Sequence, residues 1–225
     1  MLISQIIRTR RKTVALSVDH DGRLVVRAPL RATKKQIQQL VEQQAEWIRG
    51  MQEKALTRYP QAKPRRFASG EEFWFLGKLF RLEIVTGART PLVLDEPGGR
   101  FLLNSLAVPK ARLVFTNWYR QQAARVLVER VARAAARHAF SYTKVRITSA
   151  HTHWGSCSTR GTLSFPWRLV MSPLPVIDYV VVHELVHTRE RSHARAFWER
   201  VKAIAPDYKQ HIKWLADNGH LLRIE

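Results

Sequence analysis

Residues 172–187, SPLPVIDYVVVHELVH, constrain this chain more than any other stretch, because a single apolar helix there carries titratable side chains. Ser172 reads as the N-cap and Pro173 as the first helical residue, a position that tolerates a missing N–H. Tyr179, Val180, Val181, Leu185 and Val186 then coat the helix with apolar groups, so it must be buried. His183, Glu184 and His187 nevertheless lie within it as H-E-x-x-H. Positions i and i+4 share a helical face, so both imidazoles reach one ion while Glu184 projects about 100° away. Two histidines in a valine-rich helix are costly to bury without such a purpose. The helix needs a shell, and a chain of 225 residues can supply one by burying roughly 70% of its unfolded surface.

A third imidazole, His193, follows His187 by six residues across a polar break at 188–192. Ser192 reads as a cap for a next helix containing Phe197, Trp198, Val201 and Ile204, which folds His193 back toward the first two. Three protein ligands plus a water describe catalytic zinc, whereas structural sites close with four ligands. His183, His187 and His193 are therefore the candidate ligands of Zn2+, and Glu184 is the candidate catalytic base that takes a proton from water. The histidine spacing equals that of metzincins, but Glu190 stands where those proteins have glycine. Met1, Met51 and Met171 all precede the motif, so no Met-turn follows it.

The remaining pattern predicts an α+β protein. Residues 14–18 and 24–28 alternate around Asp19, His20, Asp21 and Gly22 as a β-hairpin. Thr33 caps a helix with Ile37, Leu40, Val41, Ala45 and Ile48 on its apolar face. Residues 59–66, with two prolines, read as a connector, and strands follow at 73–76, 79–85 and 92–94. A long helix begins at Ala111 and runs to about Phe140, burying Leu113, Trp118, Val126, Leu127 and Val131. Strands at 144–148 and 163–170 precede the motif helix, the second bordering the cleft as an edge for an extended peptide. The expected division is an N-terminal α+β region of hairpin, helix and strands at 1–108, then a zincin-like domain at 109–225.

Four blocks make the sequence recognisable: HWGSCS at 153–158, LSFPWRL at 163–169, YVVVHELVH at 179–187, and Ser192-His193 with Phe197-Trp198. Together they resemble the YgjP-like family of zincin-type metallopeptidase domains, which is related more distantly to SprT-like and WLM proteins. The resemblance implies zinc on His183, His187 and His193, Glu184 as general base, and a peptide or protein substrate. His153 departs from it, since relatives usually carry Arg or Lys before Trp-Gly-Ser-Cys. Nucleotide pyrophosphatase activity has also been attributed to the family, which makes nucleoside triphosphate hydrolysis one alternative. Triphosphates generally travel with carboxylate-held Mg2+, and few carboxylates lie near this motif. The other alternative is a zinc-stabilised, non-catalytic module binding nucleic acid or protein, in which Glu184 would have no use.

Further residues are candidates to line the cleft: His153, Trp154, Cys157 and Tyr208, with His151 and His211 beside them. Cys157 reads as a turn or packing residue, a fourth ligand, or a nucleophile. Glu190 and Glu199 are candidates to orient a ligand imidazole. As the sole cysteine, Cys157 can form no disulfide within the chain, which fits a reducing compartment. The basic N-terminus has no apolar run of 7–15 residues after it, so neither an export signal nor a membrane span is expected, and the expected location is cytoplasmic. The formal charge is +20, with 20 basic and 10 acidic residues up to position 110 and 18 and 8 thereafter. Basicity this even fits non-specific contact with nucleic acid rather than a detachable basic tail.

Overall fold

A computed structural model describes residues 3–10, 13–18, 22–58 and 65–224. The chain forms two compact units, Met1–Lys63 and Pro64–Glu225. The first contains β1 (Ile3–Thr9), β2 (Ala15–Val18), β3 (Leu24–Pro29), α1 (Lys34–Gln43) and α2 (Ala45–Arg58). β3 is central, antiparallel to β2 and parallel to β1, a strand absent from the sequence expectation. Thr33 caps α1 as expected, its hydroxyl accepting from the Gln36 amide while the Gln36 side chain accepts from the Thr33 amide. The expected single helix divides at Gln44, and Leu24, Val26, Ala28, Ile37, Val41 and Ile48 form the core. The hairpin turn at 19–21 and most of the connector, 59–64, lie outside the described residues.

The second unit starts with a four-stranded sheet of order β4-β5-β7-β6, made of β4 (Glu72–Phe75), β5 (Lys78–Val85), β6 (Leu92–Asp95) and β7 (Arg100–Asn104). The helix α3 (Ala111–Arg137) lies against it and inserts Phe115 between Phe73 and Phe101, with ring centroids 4.4 and 5.3 Å away. This shared aromatic core explains why the division falls at residue 63 and not at 108/109. The sheet cannot be separated from α3 without exposing these rings. The buried stripe of α3 runs Phe115, Tyr119, Ala123, Leu127, Val131, Ala135, each four residues on. Leu113 lies off that stripe and is 57% exposed, contrary to expectation.

A second sheet has order β8-β10-β9, from β8 (Lys144–Thr148), β9 (Ser156–Cys157) and β10 (Thr162–Pro166). β10 is parallel to β8 and antiparallel to β9, so it is the middle strand rather than the edge expected for peptide pairing. The expected strand also ends early, and residues Trp167–Met171 wind into a 3-10 turn. Ser172 closes that turn by donating to Leu169 O instead of capping the next helix. The helix α4 (Leu174–Val186) then follows, with α5 (Arg195–Ile204) and α6 (Tyr208–Asn218) packed on it. Arg130 of α3 clamps Asp178 of α4 through two guanidinium nitrogens. No described helix is long and apolar enough to cross a membrane.

The tip of the β4–β5 hairpin docks where α4 begins. The Leu76 and Gly77 amides donate to Val170 O and Met171 O at 2.9 and 3.1 Å. Gly77 has φ +79°, and a Cβ there would lie 2.8 Å from the Pro173 backbone. Gly77→Ala should therefore destabilise the second unit by about 1–3 kcal/mol, from left-handed strain plus the displaced proline ring. Thermal unfolding checks this, and an unchanged midpoint would show that the contact is slack.

Candidate metal centre

α4 ends where the candidate ligands begin. His183 occupies its last turn and His187 is the C-cap, its amide donating to His183 O. The Arg189 and Glu190 amides donate to Val186 O and the Thr188 hydroxyl donates to Leu185 O, which reverses the chain. His193 therefore returns just before α5, whose N-cap is Ala194 rather than the expected Ser192. The three imidazoles converge as the spacing predicts. His193 Nε2 lies 3.1 Å from His183 Nε2 and 3.1 Å from His187 Nε2. Among the described residues, no fourth His, Cys, Asp or Glu joins this group.

The donor set fits a zinc ion. Two nitrogens each 2.0–2.1 Å from one tetrahedral centre stand roughly 3.3 Å apart, close to the observed spacing. The far nitrogens fix which atom faces the centre. His187 Nδ1 is 2.9 Å from Glu190 O, so it donates there and leaves the Nε2 lone pair available. His183 Nδ1 faces the Tyr179 hydroxyl oxygen at 3.4 Å. Burial, reinforced by His187 and His193, lowers His183 to about 4, and burial lowers His187 as well. At neutral pH these imidazoles are thus already in the metal-binding form.

Phe197 is the floor of the site. Its ring is fully buried and its centroid lies 4.8, 4.5 and 4.7 Å from those of His183, His187 and His193. Behind it runs a stack in which Trp198 lies 5.7 Å from His193 and Tyr208 lies 5.3 Å from Trp198. Tyr208 thus reaches the cluster through Trp198, and His211 through Tyr179, whose ring is 6.0 Å away. Burial pushes the Tyr179 hydroxyl up to about 12, so it remains protonated.

Glu184 is 5% exposed, and its Oε2 has no hydrogen-bond partner among the described residues. Its seat is Gly155, a position that no pattern in the sequence marks. A Cβ on Gly155 would lie 2.4 Å from Glu184 Oε1 and 2.6 Å from its Cγ. Burial raises the carboxyl to about 8, and a cation bound beside it would pull in the opposite direction.

The remaining candidates separate. Trp154 packs on Gly219, where a Cβ would lie 2.8 Å from its ring. His153 is exposed and hydrogen-bonds Thr152 Oγ1 at 3.2 Å. Cys157 donates to Ser158 O at 3.4 Å, and burial raises its pKa, which disfavours a nucleophilic thiolate. Glu190 orients His187 through its backbone carbonyl, while its carboxylate accepts from Arg200. Glu199 pairs with Arg195 on the surface.

Residues 12–218 match the family YgjP-like, metallopeptidase domain, and the chain belongs to that family. A comparison with curated proteins finds no match.

Two substitutions should separate ligand from seat. His193→Ala should reduce metal content or affinity sharply in elemental analysis and chelator competition, since it removes one of the three converging imidazoles. Gly155→Ala should keep the metal but lower hydrolysis by about tenfold or more, because the new methyl group displaces the Glu184 carboxylate. Parental rates in Gly155→Ala would show that the carboxylate position is not critical.

Proposed function

We propose that this chain is a zinc-dependent metallopeptidase with Glu184 as its general base. The supporting observation is the meeting of three Nε2 atoms at the end of the helix that also carries Glu184, whose carboxylate is buried with Oε2 unpartnered among the described residues. His183, His187 and His193 would hold the ion, which when bound supplies Lewis acidity and a lowered pKa for water.

The chain's own groups do the remainder. Glu184 Oε2 accepts a proton from the attacking water as that water's oxygen bonds to the scissile carbonyl carbon. The same atom then delivers the proton to the amine nitrogen as the C–N bond breaks. Gly155 keeps the carboxylate in one place, and Phe197 keeps the ligands together without competing for the ion. The apolar floor also lowers the local dielectric, which strengthens each charge interaction at the site. A purely structural zinc site would need no acid in the register of Glu184.

Glu184→Gln is expected to keep zinc and fold while lowering hydrolysis by roughly 10²–10⁴-fold, because an amide cannot accept the proton. Zinc content, circular dichroism and cleavage of a quenched-fluorescence peptide library measure the three properties. A variant that cleaves at the parental rate would remove Glu184 as the base.

The +20 charge supports a second, incidental property, salt-sensitive and sequence-independent affinity for polyanions. Log affinity for labelled duplexes and single strands should fall linearly with log salt, with little preference among sequences. A flat salt response, or selection of one sequence, would contradict it.

A further inference from the structure

The segment that ends the metal site carries Arg189, Arg191, Arg195 and Arg200. Arg195 pairs with Glu199 and Arg200 with Glu190. Arg189 lies over the Phe140 ring, 4.7 Å from its centroid, and donates to Ala139 O. Arg191 differs from Arg195 and Arg200 in having no carboxylate partner among the described residues, and from Arg189 in being held by the segment that follows Gly155. Its Nη1 donates to Ser158 O and its Nη2 to Thr159 O, both at 2.9 Å, with Cys157 Sγ 3.9 Å from Nη1. All these acceptors are neutral, so they fix the guanidinium without cancelling its charge. No carboxylate pairs with it among the described residues, and the residue is exposed.

Its location is informative. Arg191 lies between His187 and His193 in the chain, and its acceptors Ser158 and Thr159 follow Gly155, the seat of the Glu184 carboxylate, by three and four residues. The segment that seats the Glu184 carboxylate therefore also holds an immobilised cation. Guanidinium has five N–H donors, two of which the carbonyls occupy. A group already held in place loses little side-chain entropy when an anion arrives.

We propose that Arg191 is a specificity residue, forming a subsite for a substrate carboxylate beside the bond held at the histidines. The preferred peptides carry an acidic side chain or a free C-terminal carboxylate there. This inference rests on the peptidase reading and names the substrate class for it.

The test uses zinc-loaded full-length protein and three succinyl hydroxamates, each extended by one residue. The first ends in Glu amide, the second in Gln amide, and the third in Gln with a free carboxylate. The hydroxamate anchors each probe on the metal, and calorimetry at low salt measures binding without requiring turnover. At least one acidic probe should bind about tenfold tighter than Gln amide, the scale of one charge-assisted hydrogen bond. The Glu amide and free-carboxylate arms identify whether a side chain or a terminus supplies the anion. Arg191→Gln should abolish the preference yet leave Gln amide within about threefold, and Arg191→Lys should keep part of it.

Equal binding of acidic and neutral probes by the parent would overturn the proposal. So would a preference that survives Arg191→Gln. Equal weakening of all three probes in that variant would reduce Arg191 to a loop staple and also overturn it. If no probe binds in a zinc-dependent way, the metal-centre reading falls and this inference falls with it.

Discussion

Burial of α4 on nearly every side is the constraint on which the second unit depends. An ordinary surface helix buries one stripe, but α4 buries Val176, Ile177, Tyr179, Val180, Val181, Val182, Glu184, Leu185 and Val186. Such a helix cannot rest on a single layer. α3 covers one flank and is tied to it by Arg130 and Asp178, while α5, α6 and β9 meet it elsewhere. Enclosure has an electrostatic consequence at its C-terminal end. Partly desolvated imidazoles are held neutral there, and a desolvated carboxylate stands beside them.

The convergence of the three histidines was legible in the sequence because it follows from one periodicity and one short break. A 3.6-residue repeat places His183 and His187 together regardless of what surrounds them. A six-residue excursion is short enough to return His193. The long helix, the Thr33 cap and the α+β character were legible for the same reason, being local properties. Leu113 was misplaced because a long helix offers several apolar rows, and partners elsewhere in the chain choose among them.

What remained hidden is non-local. β9 has two residues, too few for alternation to register, and its pairing with β10 turns an apparent edge strand into a middle one. Strand β1 is largely exposed and does not alternate, with Ile6 and Ile7 adjacent, so its place beside β3 comes from backbone pairing rather than pattern. The expected division at 108/109 rested on a change of periodicity, whereas Phe73, Phe101 and Phe115 share one core across it. Gly155 is the sharpest case. Its meaning lies in the absence of a side chain opposite a residue 29 positions later, and no one-dimensional pattern marks such an empty space.

The hydrogen bond from His187 Nδ1 ends on a peptide carbonyl, that of Glu190, rather than on a side chain. Every amino acid that could replace Glu190 brings the same carbonyl, provided the reversal after α4 keeps its shape. The tautomer of this imidazole is thereby insulated from point substitution at its own partner. An alanine scan across 188–192 would lose the ion pair to Arg200 at position 190 and leave the orienting group untouched. Side-chain deletion is blind to this part of the site, and only a change to the chain itself, such as an inserted residue or an ester in place of the amide, would reveal it.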